Sequence, residues 1–383
     1  MNFSRLPRNA HGVLCDPVSR MKGDGAARLI ERVWRGQGAG PRAARAVLRP
    51  LSLLYGGGIA LRSALYGAGG LVTHDAALPV MSVGNLSVGG TGKTPISAWL
   101  VGELRRAGAH PAIVLRGYGS DEPRVHELLN PGLPVVISPD RIRGIEHARA
   151  VGADIAVLDD AFQHRRAHRD ADIVLVSADD WTDIRSLLPA GPWREPLRAI
   201  ARASLALVTR KAASSDHAST VVAEITAEAP GLPVGIVHLD LEQLRAVSGQ
   251  ARDAAQESAP LANLRGARVL AVAGIGNPGS FIAQLEQAGA LVCPDLHADH
   301  FAPSDADVIH IAAIAHGFDL VVCTLKDAVK LAARWPREAP RLWYVSQRVI
   351  VEQGRDAVDD ILQALLRLRS LHSSSEKAGP HTG

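Results

Sequence analysis

The stretch Val80-Met-Ser-Val-Gly-Asn-Leu-Ser-Val-Gly-Gly-Thr-Gly-Lys-Thr-Pro95 decides the fold. An apolar run from Leu78 to Val83 predicts a buried strand, and residues 94–104 predict a helix that tolerates a proline near its start. Between them lies a glycine-rich turn that ends in Gly-Lys-Thr. A strand, a glycine loop of this kind and a helix, in that order, indicate a phosphate-binding loop, or P-loop.

Each part of this loop has a role in binding a nucleotide. Backbone N–H groups freed by the glycines are expected to point at phosphate oxygens, and the helix N-terminus adds partial positive charge. Lys93 is expected to reach the β- and γ-phosphates, and the Thr94 hydroxyl to hold Mg²⁺. Ser87 stands where the common pattern has its first glycine. A ligand-free turn is the alternative, which the position of Gly-Lys-Thr disfavours. The predicted nucleotide-binding residues are Ser87, Val88, Gly89, Gly90, Thr91, Gly92, Lys93 and Thr94.

Length and composition favour a globular protein of two domains. The chain has 383 residues, of which 47% are hydrophobic and 21% charged. The cysteines at 15, 293 and 323 give neither a disulfide framework nor metal-ligand spacing, which fits a reducing cytoplasm. A formal net charge of +3 is too small to indicate nucleic acid, and no nucleic-acid partner is expected.

Acidic residues follow two further predicted strands. The segment 153–160 is an apolar strand that ends in Asp159 and Asp160, which is the Walker B pattern; the carboxylate of Asp159 is expected to anchor Mg²⁺. Asp121 and Glu122 come shortly after the predicted strand at 112–115, where ligands bind in open α/β sheets. A solvated turn is the alternative for this second pair.

These motifs together resemble those of the tetraacyldisaccharide 4'-kinases, which phosphorylate a lipid A precursor in Gram-negative bacteria. The P-loop of that family also carries Ser or Thr where Ser87 stands. Arg-Gly-Tyr-Gly at 116–119, Asp-Ala-Phe-Gln-His-Arg at 160–165 and Thr-Leu-Lys-Asp-Ala-Val-Lys at 324–330 follow in the family's order. This chain departs from the pattern at Ser120, Ala161 and Leu325, and it lacks an insert before Asp121.

The resemblance implies specific roles for these residues. Asp121 would take the proton of the attacking hydroxyl together with His300, and such a pair titrates as one system. Arg194 would clamp the transferring phosphoryl group or the 1-phosphate of the substrate, whereas pairing with Glu195 is the alternative. The implied catalytic residues are Asp121, His300, Lys93 and Arg194; the implied substrate contacts are Glu122, Arg141, Asp160, Gln163 and His164; the implied metal ligands are Thr94 and Asp159.

Basic residues dominate the first 75 positions, and an apolar run at 51–61 is too short to span a bilayer. These features predict a basic amphipathic helix, or a helix pair, lying on an anionic membrane surface. An ordinary packed helix with a solvated basic face is the alternative. The resemblance favours the membrane surface, because residues 50–55 and 61–66 are similar to the opening signature of the family. It implies a peripheral position on the cytoplasmic face of the bacterial inner membrane. Whether translation starts at Met1 or Met21 stays open.

The second half contains a pattern that competes with this interpretation. Gly274-x-Gly276-x-x-Gly279 follows a predicted strand, and Asp295 lies at roughly the distance expected of a dinucleotide site. The family has a similar structural turn, so we interpret the pattern as structural. Alternation within residues 212–265, at 221–225 and at 234–239, predicts β-strands between two domains. The composition past Ser370 predicts disorder.

The sequence therefore predicts an α/β protein whose P-loop NTPase-type parallel-sheet domain spans 76–211. A β-rich linker at 212–265 and a smaller Rossmann-like α/β domain at 266–370 follow, with a basic amphipathic helical arm at 1–75 and a disordered tail at 371–383. The predicted reaction is phosphorylation of the 4'-hydroxyl of the tetraacyldisaccharide 1-phosphate to give lipid IVA. ATP is the expected co-substrate and Mg²⁺ the expected cofactor, and no obligate protein partner is evident. A P-loop switch or metallochaperone NTPase is the alternative, followed by a dinucleotide-binding oxidoreductase.

Overall fold

The structure is a computed structural model that describes residues 25–117, 121–182, 184–247, 257–299 and 301–377. It forms two compact units, which we call the larger and the smaller unit. Within the described residues, the larger unit comprises Val33–Leu239 and Val349–Gly383, and the smaller comprises Met1–Arg32 and Asp240–Arg348. Both units are discontinuous in sequence. The predicted domain boundaries after residues 75, 211, 265 and 370 stay predictions.

The strands of the described chain are β1 Val80–Asn85, β2 Pro111–Leu115, β3 Val135–Ile137, β4 Ile155–Asp159, β5 Ala171–Ser177, β6 Leu205–Arg210, β7 Val234–Ala246, β8 Ser258–Pro260, β9 Arg268–Ala273, β10 Leu291–Leu296, β11 Leu320–Cys323 and β12 Leu342–Gln353. The helices are α1 Gly25–Arg35, α2 Ala39–Gly67, α3 Lys93–Arg106, α4 Glu122–Leu129, α5 Arg141–Ala150, α6 Ser215–Glu228, α7 Pro278–Gln287, α8 Asp305–Ala315, α9 Leu325–Leu331 and α10 Arg355–Lys377.

The larger unit is built on a parallel sheet in the order β7–β6–β5–β1–β4–β2–β3. Every residue of β1 is buried, as expected for a strand covered by helices on both faces. Met81 and Val83 share one core with Ile96 and Leu100 of α3. Each fully buried side chain of this size stabilises the fold by about 1.5–3 kcal/mol, so this core fixes α3 directly behind the P-loop.

The smaller unit has its own parallel strands, in the order β10–β9–β11–β12, and β8 pairs antiparallel with β7. Helices α7, α8 and α9 each follow a strand of this unit. The parallel sheets and alternating helices confirm the predicted α/β class.

Two expectations about secondary structure are wrong. Residues 221–225 belong to α6 and not to a strand, because Ala218, Val221 and Ile225 recur at helical spacing on its buried side. The Ser214 side chain also caps α6 by accepting a hydrogen bond from the N–H of His217. The chain past Ser370 continues as α10 to Lys377, so disorder is wrong for 371–377; residues 378–383 lie outside the described ones.

The described part of the predicted arm forms α1 and α2. Helix α2 has 29 residues, contains Pro50 and carries four arginines but no acidic residue. Among the helices that the structure describes, none combines the length and the hydropathy needed to cross a membrane.

Candidate active site

The P-loop lies between β1 and α3, which begins at Lys93, one residue before the predicted helix. Gly92 has φ +83°, a conformation that favours glycine, and an added Cβ would lie 2.5 Å from Leu239 Cδ1. The other end of the loop is held by the segment that precedes Arg194: the Val88 N–H donates to Pro192 O at 2.7 Å, and Ser87 pairs with Trp193. The loop conformation is therefore fixed from both ends.

Asn85 bridges the P-loop internally and was not predicted as a site residue. Its Nδ2 donates to Ser87 O at 2.6 Å and to Thr91 Oγ1 at 3.0 Å, and the residue is fully buried. A polar residue at the end of an apolar strand was the available signal, because a buried amide must find hydrogen-bond partners.

Two residues at the end of β6 also hold the P-loop. The Thr209 hydroxyl donates to Thr91 O at 2.9 Å, and Lys211 Nζ donates to Gly90 O at 3.0 Å. The Asp179 carboxylate fixes the same turn by accepting the backbone N–H groups of 211, 212 and 213 at 2.7–3.0 Å. The sequence shows Thr-Arg-Lys at 209–211, but not which atoms these side chains bind.

The two acids of the Walker B segment differ sharply in environment. Asp159 is buried; its Oδ1 accepts the Ser97 hydroxyl at 3.2 Å, and its Oδ2 lies 3.4 Å from His126 Nε2. Asp160 is the one non-glycine residue with positive φ among the described residues, at +51°. Its loop passes close to β1, because a Cβ on Gly84 would lie 2.7 Å from the backbone nitrogen of Phe162.

Asp160 lies between the two predicted catalytic cations. Its Oδ1 is 2.8 Å from Arg194 Nη1 and 3.8 Å from Lys93 Nζ. Glu195, the alternative partner of Arg194, is buried and instead accepts both terminal nitrogens of Arg202 at 2.8 and 3.1 Å. The structure thus brings Lys93, Asp160 and Arg194 together at the end of the P-loop.

Helix α4 follows the predicted base directly in the chain. Asp121 is buried immediately before α4, and Glu122 is the first residue of that helix. One turn further on, α4 supplies the fully buried His126, which contacts Asp159 and which the sequence reasoning missed. A histidine five residues after the candidate base was a weak signal without knowledge of the helix.

Two of the predicted substrate contacts near the end of β4, Arg141 and Gln163, donate hydrogen bonds to backbone carbonyl groups. Arg141 is 2% exposed and donates to Asp159 O at 2.8 Å; burial lowers its pKa below the usual range. The Gln163 amide donates to Asn85 O at 2.8 Å. Burial, and then the charges of Arg141 and Arg169, lower the pKa of His164 to about 4, so its ring is neutral at pH 7.

His300, the predicted partner of Asp121, lies outside the described residues.

In the Gly274-x-Gly276-x-x-Gly279 turn, side chains of the protein bind the backbone N–H groups that a dinucleotide would otherwise use. Asp327 accepts the Gly274 N–H at 3.1 Å, and the Asn277 side chain caps α7 through the N–H of Ser280. Asp295 is 1% exposed and lies 3.1 Å from His297 Nε2, so it does not present an acid to a ribose at the surface. These contacts support the structural interpretation of the pattern.

In the part of the chain that the structure describes, no three His, Cys, Asp or Glu side chains form a group that could hold a metal ion. Mg²⁺ sites in nucleotide enzymes use one or two carboxylates plus phosphate oxygens. The finding therefore concerns metal sites built from protein side chains alone, and not a Mg²⁺ ion bound together with a nucleotide.

A profile of the family described as tetraacyldisaccharide-1-P 4'-kinase matches residues 44–367. The chain belongs to this family. A tetraacyldisaccharide 4'-kinase of Halorhodospira halophila is 36% identical over 345 residues, covering 84% of this chain and 94% of the relative. One of Methylobacillus flagellatus is 33% identical over 366 residues, covering 90% of this chain and 98% of the relative.

A solved structure of this family is also similar to the chain. The crystal structure of the "apo" form of LpxK from Aquifex aeolicus in complex with ATP is 27% identical, with a TM-score of 0.62 over 85% of this chain and 99% of that chain. As a tetraacyldisaccharide 4'-kinase, the chain is a phosphotransferase of lipid A biosynthesis that uses ATP. Nothing in these comparisons favours a switch NTPase, a metallochaperone or an oxidoreductase.

Proposed function

We propose that the P-loop at 87–94 grips the triphosphate of ATP and that the γ-phosphoryl group passes to the 4'-hydroxyl of the tetraacylated glucosamine disaccharide 1-phosphate. The observation that carries this proposal is the placement of Asp160 between Lys93 and Arg194, at 3.8 and 2.8 Å. Two cations at the end of a P-loop suit a reaction whose transition state spreads negative charge over phosphoryl oxygens.

The residues around Thr94 fit a magnesium ion. Thr94 is buried at the start of α3, and the register pairs Val83 of β1 with Asp159 of β4, so the P-loop and the Walker B acids leave neighbouring strands. A hydroxyl and carboxylates are the oxygen donors that Mg²⁺ prefers. We propose Thr94 as one ligand, with Asp159 and Asp160 as the carboxylates that hold the ion directly or through water. When bound, Mg²⁺ neutralises charge on the phosphate oxygens.

Asp121 is proposed as the group that takes the proton from the attacking hydroxyl, acting together with His300. Its position immediately before α4, the helix whose His126 contacts Asp159, supports the first part of this proposal. The pairing with His300 rests on the family resemblance. A histidine beside a carboxylate can accept or stabilise the proton of a sugar alcohol better than the carboxylate alone.

The remaining predicted substrate contacts divide into two kinds. Glu122, Gln163 and His164 are proposed to face the sugar phosphate, with His164 acting as a neutral hydrogen-bonding group. Arg141 is proposed to act by holding the end of β4, because its guanidinium is buried and donates to Asp159 O.

The lipid substrate is proposed to reach the site along α2, at the cytoplasmic face of the bacterial inner membrane. Leu51, Leu54 and Leu61 of this helix are 53%, 73% and 62% exposed. Exposed leucines on a helix with arginines and no acids suit an anionic membrane surface better than water.

A reconstituted reaction tests the proposal. The full chain is incubated with Mg-ATP and the disaccharide 1-phosphate in detergent, and the lipid is analysed by mass spectrometry. We expect a gain of one phosphate located on the 4'-oxygen. A product phosphorylated elsewhere, or ATP hydrolysis without a phosphorylated lipid, would overturn it.

A further inference from the structure

Helix α2 contacts the loops of the active site through one of its sides. Ser52, Tyr55, Arg62 and Ser63 recur at helical spacing on that side, whereas the exposed leucines 51, 54, 61 and 65 lie on average about 115° around the helix. The same helix therefore has an outer apolar side and an inner polar side, and the inner side makes the contacts described next.

The first set of contacts fixes the segment that leads to Arg194. The Ser52 hydroxyl donates to Leu187 O at 2.9 Å and accepts the Ala190 N–H at 3.0 Å, and Ser52 is 7% exposed. Gly56 lies over the same segment: an added Cβ would lie 2.9 Å from Leu187 Cδ1, so the leucine would have to move. Because Ser52 and Gly56 are small and lie one helical turn apart, α2 can approach this segment closely.

Tyr55 continues these contacts to Arg194 itself. The Tyr55 hydroxyl donates to Arg194 O at 3.1 Å, while the Arg194 N–H donates to Leu86 O at 2.7 Å. The backbone of Arg194 is thus held on one side by α2 and on the other by the start of the P-loop. Desolvation, followed by the charge of Glu195, raises the pKa of Tyr55, so its phenol stays protonated and able to donate at neutral pH.

Arg62 makes the equivalent contact with the other active-site loop. Its Nη2 donates to Gln163 O at 2.8 Å, and the side chain of Gln163 donates to Asn85 O at the end of β1. Next to it, Arg165 donates to Ser63 Oγ at 3.1 Å. The loop that contains Arg194 and the loop that contains Gln163 are thus both hydrogen-bonded to α2.

We infer that Tyr55 and Arg62 are positioning residues for phosphoryl transfer, because they hold the backbone of Arg194 and Gln163. The position of α2 therefore determines the geometry around Asp160. The inference rests on the proposed role of Arg194. It makes α2 more than a lipid contact, because a disturbance of its inner side should slow the chemical step even when nucleotide and lipid are saturating.

The test compares Tyr55→Phe with Tyr66→Phe, a matched change on the same helix. Both variants keep the ring and lose only a hydroxyl; Tyr66 serves as the control because it offers Arg62 and Arg165 the face of its ring, which phenylalanine keeps. With full-length protein in detergent, we expect Tyr55→Phe to lower kcat by about fivefold, the range of one hydrogen bond, with an unchanged KM for ATP. Tyr66→Phe should keep the wild-type kcat.

A double change separates this inference from the proposed function. In an Arg194→Ala background, Tyr55→Phe should have no further effect on kcat, because the group that it positions is gone. Wild-type kcat in Tyr55→Phe, equal losses in the two tyrosine variants, or independent losses in the double variant would overturn the inference. If Arg194→Ala alone kept full kcat, the proposed role of Arg194 would fail instead.

Discussion

Asp160 and Arg194 form an ion pair of 2.8 Å although they lie 34 residues apart in the sequence. Asp160 adopts φ +51°, which costs energy for a residue with a side chain, and this conformation is found where the surrounding structure holds it in place. The strained aspartate thus connects the end of β4 with the loop of Arg194 and, through Lys93, with the P-loop. Its removal should affect the reaction far more than the fold.

Asp160→Asn should lower kcat at least about a hundredfold while leaving the free energy of unfolding nearly unchanged. Asparagine tolerates positive φ as aspartate does, so the change removes charge without adding strain. Steady-state kinetics and urea unfolding measure the two quantities. Asp170→Asn is a comparison that removes another aspartate of the same loop region, and it should keep kcat. Equal kcat in Asp160→Asn and wild type would contradict the site as described.

Asp121→Ala and His300→Ala should each lower kcat far more than they raise the KM for ATP. If the two side chains transfer the proton as one pair, the double variant should be little slower than the slower single variant. Measurement of kcat for all four proteins at saturating ATP completes the cycle. Losses that multiply independently would argue against a dyad.

His164 should make the protein lose stability on mild acidification. Its pKa is about 4 in the folded chain, compared with 6.5 for the unperturbed group, so the unfolded chain binds more protons between these values. The contribution of neutral His164 to the free energy of unfolding is complete above about pH 6.5 and is lost as the pH falls toward 4. We expect His164→Gln to reduce the fall in the free energy of unfolding between pH 7 and pH 5.

His147→Gln is the control for this measurement, because His147 is exposed on α5. It should leave the pH dependence of urea unfolding as in the wild type. The same slope in wild type and His164→Gln would show that His164 does not remain neutral in the folded protein.

Leu54→Asp should weaken binding to vesicles that contain anionic lipid by at least about tenfold, because a buried leucine contributes about 1.5–3 kcal/mol and a buried aspartate is unfavourable. Flotation of the protein with the vesicles measures the bound fraction. Ile309→Asp changes a residue of similar exposure on α8, 63% compared with 73%, and should bind as the wild type does. Equal loss in both variants would remove α2 as the membrane-facing element.

The strands and the P-loop could be predicted because their signals are local. The apolar run before Asn85 and the glycine-rich turn specify β1 within two residues at each end and the start of α3 within one residue. The error at 221–225 arose because the short window Val-Val-Ala-Glu-Ile shows two-residue alternation. The decisive signals were the cap at Ser214 and the three- and four-residue spacing of a longer window.

The partners inside the site could not be predicted, because they depend on how distant segments pack. Nothing local shows that Arg194 pairs with Asp160 and not with its neighbour Glu195, which bonds Arg202. Similarly, the contact between His126 of α4 and Asp159 of β4 becomes visible only in the folded chain. The sequence identified which residues carry charge, and the fold determines which of these charges meet.

Transfer of label from ATP to the lipid, compared between wild type and Lys93→Ala, shows whether the P-loop lysine is needed for phosphoryl transfer. ATP labelled at the γ-phosphate is incubated with the disaccharide 1-phosphate and either wild type or variant, and unfolding curves establish that both are folded. We expect labelled lipid with the wild type and labelling that is at least about a thousandfold slower with Lys93→Ala. Labelling at the wild-type rate by the folded variant would contradict it.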